Sequence, residues 1–290
     1  MFYSIKELVE QADLDFNGNV AELMIATEYE LTGRERDEVL RLMGRNLEVM
    51  KASVLLGLDE SKSRSGLTGG DAAKLHHYIQ SGKALSDYTV LTAAKNAIAV
   101  NEHNAKMGLV CATPTAGSAG CLPAVLTSAI EKLDLTEEQQ LEFLLAAGAF
   151  GLVIANNASI SGAEGGCQAE VGSASAMSAA SLVLAAGGSA FQASQAICFV
   201  IKNMLGLICD PVAGLVEVPC VKRNAMGASY AFIAADMALA GIESKIPVDE
   251  VIDAMYQVGS SLPTAFRETA EGGLATTPTG RRLSKEIFGE

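Results

Sequence analysis

Tryptophan is missing from this chain, and only three of its 290 residues are histidine. Aromatic residues make up 5% and charged residues 19%. Basic residues are scarce beside acidic ones: 21 Lys and Arg face 34 Asp and Glu, for a formal net charge of −13 and a pI of about 4.7. That balance excludes a nucleic-acid partner, which needs clustered basic side chains to replace phosphate counterions. No Walker loop, Gly-x-Ser-x-Gly elbow or Rossmann fingerprint occurs, which removes the nucleotide-binding and serine-hydrolase classes those motifs mark. No two cysteines form a C-x-x-C pair. The N-terminus lacks the basic start and apolar core of a secretory signal, so a cytoplasmic chain with reduced thiols is expected.

Charge is also absent from Val171 to Ile201, in a chain of mean hydropathy +0.26. The run exceeds the roughly 20 residues that span a bilayer. It is, however, rich in Ser, Ala, Gly and Gln, holds Gly187-Gly188 at its middle, and has neither a basic flank nor an aromatic belt. It reads as small-residue helices packed closely in a soluble core, with no membrane partner.

Helix signals are what the sequence has in quantity. Thr32-Gly33-Arg34-Glu35 and Thr136-Glu137-Glu138-Gln139 both have the spacing of a capping box. The first is expected to open a helix carrying Val39, Leu42, Met43, Leu47, Met50, Val54 and Leu55 and ending near Gly57; the second precedes Leu141 to Val153. Ser86 or Asp87 caps a segment running to about Lys106. Pro247 suits the first turn of a helix with Val251, Ile252, Met255 and Val258 that stops at Gly259. Strand signals are weak, and even the β-branched stretch from Ala213 to Val221 does not alternate. The expectation is a mainly α fold: one helical domain over residues 1–290, its function in Gly-rich loops, with residues 1–31 set apart as a candidate N-terminal arm.

Glycine concentrates in four loops: Ser63 to Gly70, Thr113 to Gly120, Ser159 to Gly166 and Gly206 to Pro219. The first two carry small hydroxyl side chains and precede helix starts, so each is either an anion site or an ordinary helix cap. Of the six cysteines, Cys198 sits in an apolar run and reads as core, while Cys111 and Cys121 flank the Thr113 loop and read as packing residues. Cys167, Cys209 and Cys220 each have Gly or Pro close by, which frees the backbone to aim a thiolate at a common point. Three convergent thiolates suit a soft metal. Their spacing matches no local signature, and it leaves open buried thiols, zinc with a histidine, or an iron–sulfur cluster. His76 and His77 read as surface residues. His103, near the end of the Ser86–Lys106 segment and close to the Thr113 loop, is either a helix-dipole histidine or a site histidine.

Three blocks, EHNAKMGLVCATPTAGSAGCLPAVL, SGAEGGCQAEVGSASAM and GLICDPVAGLVEVPCVKRNAMGA, with SRSGLTGGDAAKL as a fourth, resemble the α chain of iron–sulfur L-serine dehydratases. They cover residues 61 to 229. The resemblance implies a lyase, an L-serine ammonia-lyase of amino-acid catabolism yielding pyruvate and ammonia. It implies a [4Fe–4S] cluster held by Cys167, Cys209 and Cys220, with one iron left free as a Lewis acid toward the serine hydroxyl. It also implies substrate contacts from Ser63, Ser65, Gly66, Thr68, Gly69, Thr113, Thr115 and Gly117, with His103 as the candidate catalytic base in this chain. Fused relatives carry a C-terminal cysteine and a second domain with a Ser-Ser-His-Thr-type loop. This sequence ends Ile287-Phe288-Gly289-Glu290 and has no such loop, so a separate β chain and an oligomeric enzyme are expected. The alternative on the same scaffold is an iron–sulfur L-cysteine desulfidase. A pyridoxal-phosphate enzyme using Lys74, a transporter module and a cluster-based redox sensor fit the sequence less well.

Overall fold

The computed structural model describes residues 1–289; Glu290, the last residue of the expected domain, lies outside the described residues. Twelve α-helices follow one another among them: α1 Ile5–Asp15, α2 Val20–Thr32, α3 Arg36–Leu56, α4 Asp71–Gln80, α5 Tyr88–Ala105, α6 Cys121–Leu133, α7 Glu137–Asn157, α8 Gly162–Ala185, α9 Ala190–Met204, α10 Cys220–Leu239, α11 Val248–Ser261 and α12 Pro278–Phe288. Short 3-10 turns at Val212–Gly214, Thr264–Phe266 and Gly273–Thr276 complete the set. The fold is mainly α, as the sequence predicts. Among the described residues the only strand-like pairing is an isolated bridge between Cys209 and Arg267.

Helix α8 is the axis of the molecule, with α6, α7, α9, α10 and α11 packed around it. It is buried on every side from Gly165 to Val183, which is why it has no polar face. Its Ala, Gly and Ser side chains let the surrounding helices approach closely. Two of its serine hydroxyls find neutral backbone partners: Ser178 Oγ donates to Ala174 O at 2.7 Å, and Ser175 Oγ donates to Gly227 O of α10. The charge-free run is therefore α8 followed by α9, with a turn at Gly187, and not a single span. Helix α7 is long and apolar enough to cross a bilayer, but it buries Phe143, Leu144, Phe150 and Ile154 in the core. The same core takes Phe2, Ile5 and Leu8, so residues 1–31 form α1 and α2 packed on the body of the domain.

Local signals mostly meet their elements. Thr136 caps α7 in a complete capping box, and Asp87 caps α5. The Thr32–Glu35 box does not form. Thr32 ends α2, its hydroxyl donates back to Glu28 O at 2.8 Å, and the chain turns at Gly33 in the left-handed region. Because Thr32 is itself the last helical residue of α2, the position before α3 falls to Glu35, and α3 begins at Arg36 without a side-chain cap. Pro247 stands one residue ahead of α11, and the helix continues past Gly259, which is buried against Gly165. The Ala213–Val221 stretch divides between a 3-10 turn and the first residues of α10.

Candidate metal centre

Each of the three cysteines singled out above sits where regular structure is interrupted. Gly166 breaks α8 with φ 76° and ψ −179°, a conformation open to glycine, so Cys167 begins a new helical run. Cys220 is the first residue of α10. Cys209 lies in the loop between α9 and α10, where its N–H donates to Phe266 O and its carbonyl accepts from Glu268 N–H, both at 2.9 Å.

The ligand atoms of Cys167, Cys209 and Glu170 all lie within 4.8 Å of one another, and all three residues are buried. This group could hold a metal. Cys220 is also buried and falls outside that 4.8 Å grouping, yet lies near enough for the charge of Cys167 to act on it. Gly162 forms one wall: a Cβ there would meet Cys209 Sγ at 3.0 Å and the carboxylates of Glu170 and Glu268 at 3.2 Å.

Arg223, one turn into α10, supplies the positive charge. Its Nη1 approaches Cys167 Sγ at 3.4 Å, donates to Ile208 O at 2.8 Å and pairs with Asp210 Oδ1 at 2.9 Å. The neighbouring Cys209 thiol, and then this guanidinium, hold Cys167 below the ordinary thiol range despite its burial. Cys209, donating toward Cys167, is pushed up, and burial does the same to Cys220. Burial raises the Glu170 carboxyl, against a hydrogen bond from Thr115 Oγ1. A soft donor set of buried thiols with a cation beside it fits a thiolate-ligated metal or cluster.

Both hydroxyl-rich loops are bonded to the cysteine-bearing segments. Thr115 donates to Glu170, three residues beyond Cys167. Asn224, four residues beyond Cys220, donates to Gly117 O at 2.8 Å and accepts from Gly120 N–H at 3.1 Å. On the other side, Ser63 and Ser65 donate to Glu217, and Lys222 pairs with Asp71. The loop ahead of α4 is held from beneath by Glu102, fully buried in α5. Its carboxylate accepts from Thr68 Oγ1 and from the N–H groups of Gly69, Asp71 and Ala72 at 3.0 to 3.3 Å. Gly66 closes the loop with an N–H donated to Ser63 O at 3.0 Å.

The other residues named from sequence are placed as follows. Thr113 donates to Cys111 O. The His103 ring packs on Gly108 at the C-terminal end of α5, has no hydrogen-bond partner among the described residues, and is pulled below the usual histidine range by burial and then by Lys106. Cys121 and Cys198 are buried in the core, and Cys111 is half-buried. Glu170, Glu217, Glu102, Arg223 and Asp210 stand in no local pattern that marks them in the sequence. Carboxylates spaced three residues from Cys167 and Cys220 were the available signal, and it is too common to stand out.

An all-helical protein with a buried thiol–carboxylate centre between two hydroxyl-rich loops is the class that fold and site define. The family profile described as "Serine dehydratase alpha chain" matches residues 15–275. The chain is 60% identical over 289 residues to "Probable L-serine dehydratase, alpha chain" of Bacillus subtilis (strain 168), an alignment spanning 100% of this chain and 96% of that one. It is 42% identical over 272 residues to "L-serine dehydratase, alpha chain" of Peptoniphilus asaccharolyticus, covering 93% of each. Against "L-serine dehydratase TdcG" of Escherichia coli (strain K12) it is 36% identical over 286 residues, covering 94% of this chain and 61% of that protein. The chain belongs to the serine dehydratase alpha chain family.

Proposed function

We propose that this protein is the α chain of an L-serine ammonia-lyase that converts L-serine to pyruvate and ammonia. In this reading Cys167, Cys209 and Cys220 hold a [4Fe–4S] cluster. The observation that carries it is the convergence of the Cys167 and Cys209 thiols beside Arg223, on segments hydrogen-bonded to both hydroxyl-rich loops. When bound, a cluster with three cysteine ligands supplies one iron free of protein ligands, a Lewis acid for the departing hydroxyl. The chain's own residues bind and orient the substrate. The Ser63–Gly70 and Thr113–Gly117 loops hold its carboxylate and amino group, and their anchors on Glu102, Glu217, Glu170 and Asn224 keep them fixed while the substrate reacts.

Elimination removes the Cα proton and the Cβ hydroxyl, and the resulting aminoacrylate tautomerises and hydrolyses to pyruvate and ammonia. The base is either His103 or a group on a separate β chain that completes the site. In this reading the enzyme works in the cytoplasm as an oligomer of α and β chains.

The test is anaerobic iron and sulfide analysis with a visible spectrum on the wild type and on Cys209→Ala, followed by turnover of L-serine and L-cysteine with the β chain present. About four irons and four sulfides per chain, lost in the variant, with serine the better substrate, support the reading. Iron absent after reconstitution rejects the cluster; cysteine turned over in preference to serine makes the enzyme a desulfidase. His103→Gln at undiminished rate moves the base to the β chain.

A further inference from the structure

Glu217 lies in the loop leading to Cys220, with only 6% of its surface exposed. Its Oε2 accepts from Ser63 Oγ at 2.6 Å and its Oε1 from Ser65 Oγ at 2.7 Å. The two cations nearest in sequence are engaged elsewhere, Lys222 with Asp71 and Arg223 with Asp210. Among the described residues no ion pair neutralises Glu217. A buried carboxylate with neutral partners only is an unfavourable arrangement unless a cation is brought to it.

The hydroxyl protons decide what that cation is. Each serine hydroxyl has one proton, and both are committed to Glu217. The two oxygens stand 3.1 Å apart with no proton left to join them. Ser65 Oγ also accepts from Leu67 N–H at 3.1 Å, and Thr68 N–H points at Ser63 Oγ at 3.5 Å. Each oxygen thus retains an unused lone pair and has no donor to offer. A substrate carboxylate would find acceptors facing it; a primary ammonium would find a negative charge and two free acceptors. Ser65 is only partly buried, which leaves the pair open to a small ligand.

We propose that Ser63, Ser65 and Glu217 form the subsite for the substrate's α-ammonium group, which leaves the substrate carboxylate to other groups. The assignment rests on the amino-acid lyase reading above and goes further by dividing the two loops' tasks.

The test uses the cluster-loaded α chain with its β chain and compares two ligands differing at Cα: L-serine as substrate, and glycerate, which has a hydroxyl in place of the amine, as competitive inhibitor. Glu217→Gln is expected to raise the serine KM by about tenfold or more with kcat nearly unchanged, while the glycerate inhibition constant stays within about twofold and iron content is retained. Ser65→Ala, a smaller change at a half-buried position, should shift the same ratio in the same direction, and it reads out the subsite if Glu217→Gln does not fold. Equal weakening of both ligands would show a clamp that only shapes the loop; unchanged serine KM in both variants would overturn the subsite while leaving the lyase reading intact. A wild-type enzyme that holds iron and does not turn over serine rejects both readings together.

Discussion

The guanidinium of Arg223 stands between two groups that come together only in the folded chain, Asp210 Oδ1 at 2.9 Å and Cys167 Sγ at 3.4 Å. Asp210 is almost fully buried, and its other oxygen accepts from Leu274 N–H at 2.7 Å, which ties the C-terminal segment to the cysteine site.

Arg223→Met should strand Asp210 as a buried charge without a cation, a loss of about 3 kcal/mol. In a chain of this size that is a fall of roughly 6 °C in melting temperature. The double variant Arg223→Met with Asp210→Asn should recover part of it, because the uncompensated charge is then removed. Anaerobic thermal melts measure both effects. Iron content measured in parallel reports the loss of positive charge beside Cys167.

Gly166 holds a backbone conformation that a side chain disfavours, and an added Cβ would come within 2.8 Å of Leu207 O and of Leu262 Cδ1. Gly166→Ala is expected to cost roughly 1–3 kcal/mol in urea denaturation. Relaxation there would swing Cys167 away from Cys209, so retained iron should fall even where the helix content by circular dichroism is unchanged. Unaltered stability and iron content would mean that the break in α8 is not what aims the thiol.

The close approach of helices around α8 depends on small side chains. Ala179, in the C-terminal half of α8, is fully buried. Ala179→Leu should overpack the contact and lower stability by about 1–3 kcal/mol. An apolar substitution that stabilised the protein would show that α8 has room to spare.

Asp71 follows the Ser63–Gly70 loop as the first residue of α4. Burial works against its ionised form, but hydrogen bonds and charge from Lys222 and Lys74 hold its carboxyl at about 2, below its usual 3.8. A depressed folded pKa contributes stability above about pH 4 that is lost as pH falls toward 2. The group is only partly buried, so after solvent screening the contribution is about 0.5–1 kcal/mol. Wild type and Asp71→Asn should therefore differ in melting temperature at pH 7 and converge toward pH 2. A constant difference across that range would remove the ion pair from the account.

The helical class and most helix boundaries were legible because they rest on local chemistry. Thr136 with Gln139 and Asp87 with Thr89 N–H satisfy free N–H groups within a few residues, wherever the rest of the chain lies. The Thr32 box failed for an equally local reason. Thr32 was taken into the last turn of α2, and the left-handed Gly33 then set where the next helix could start. The cysteines and hydroxyl loops were legible as sequence blocks, not as geometry.

By itself the sequence determined that this protein is helical, acidic, built on a charge-free run of small residues, and provided with three glycine- or proline-flanked cysteines and two hydroxyl-rich loops. Only the tertiary structure decided which carboxylates serve them. Glu102, Glu170 and Glu217 meet their partners across 30 to 154 residues of chain. Arg223 reaches Cys167 across 56. Charge and hydrogen-bond complementarity act through space, and the packing of helices around α8 sets those distances; no spacing along the chain encodes them.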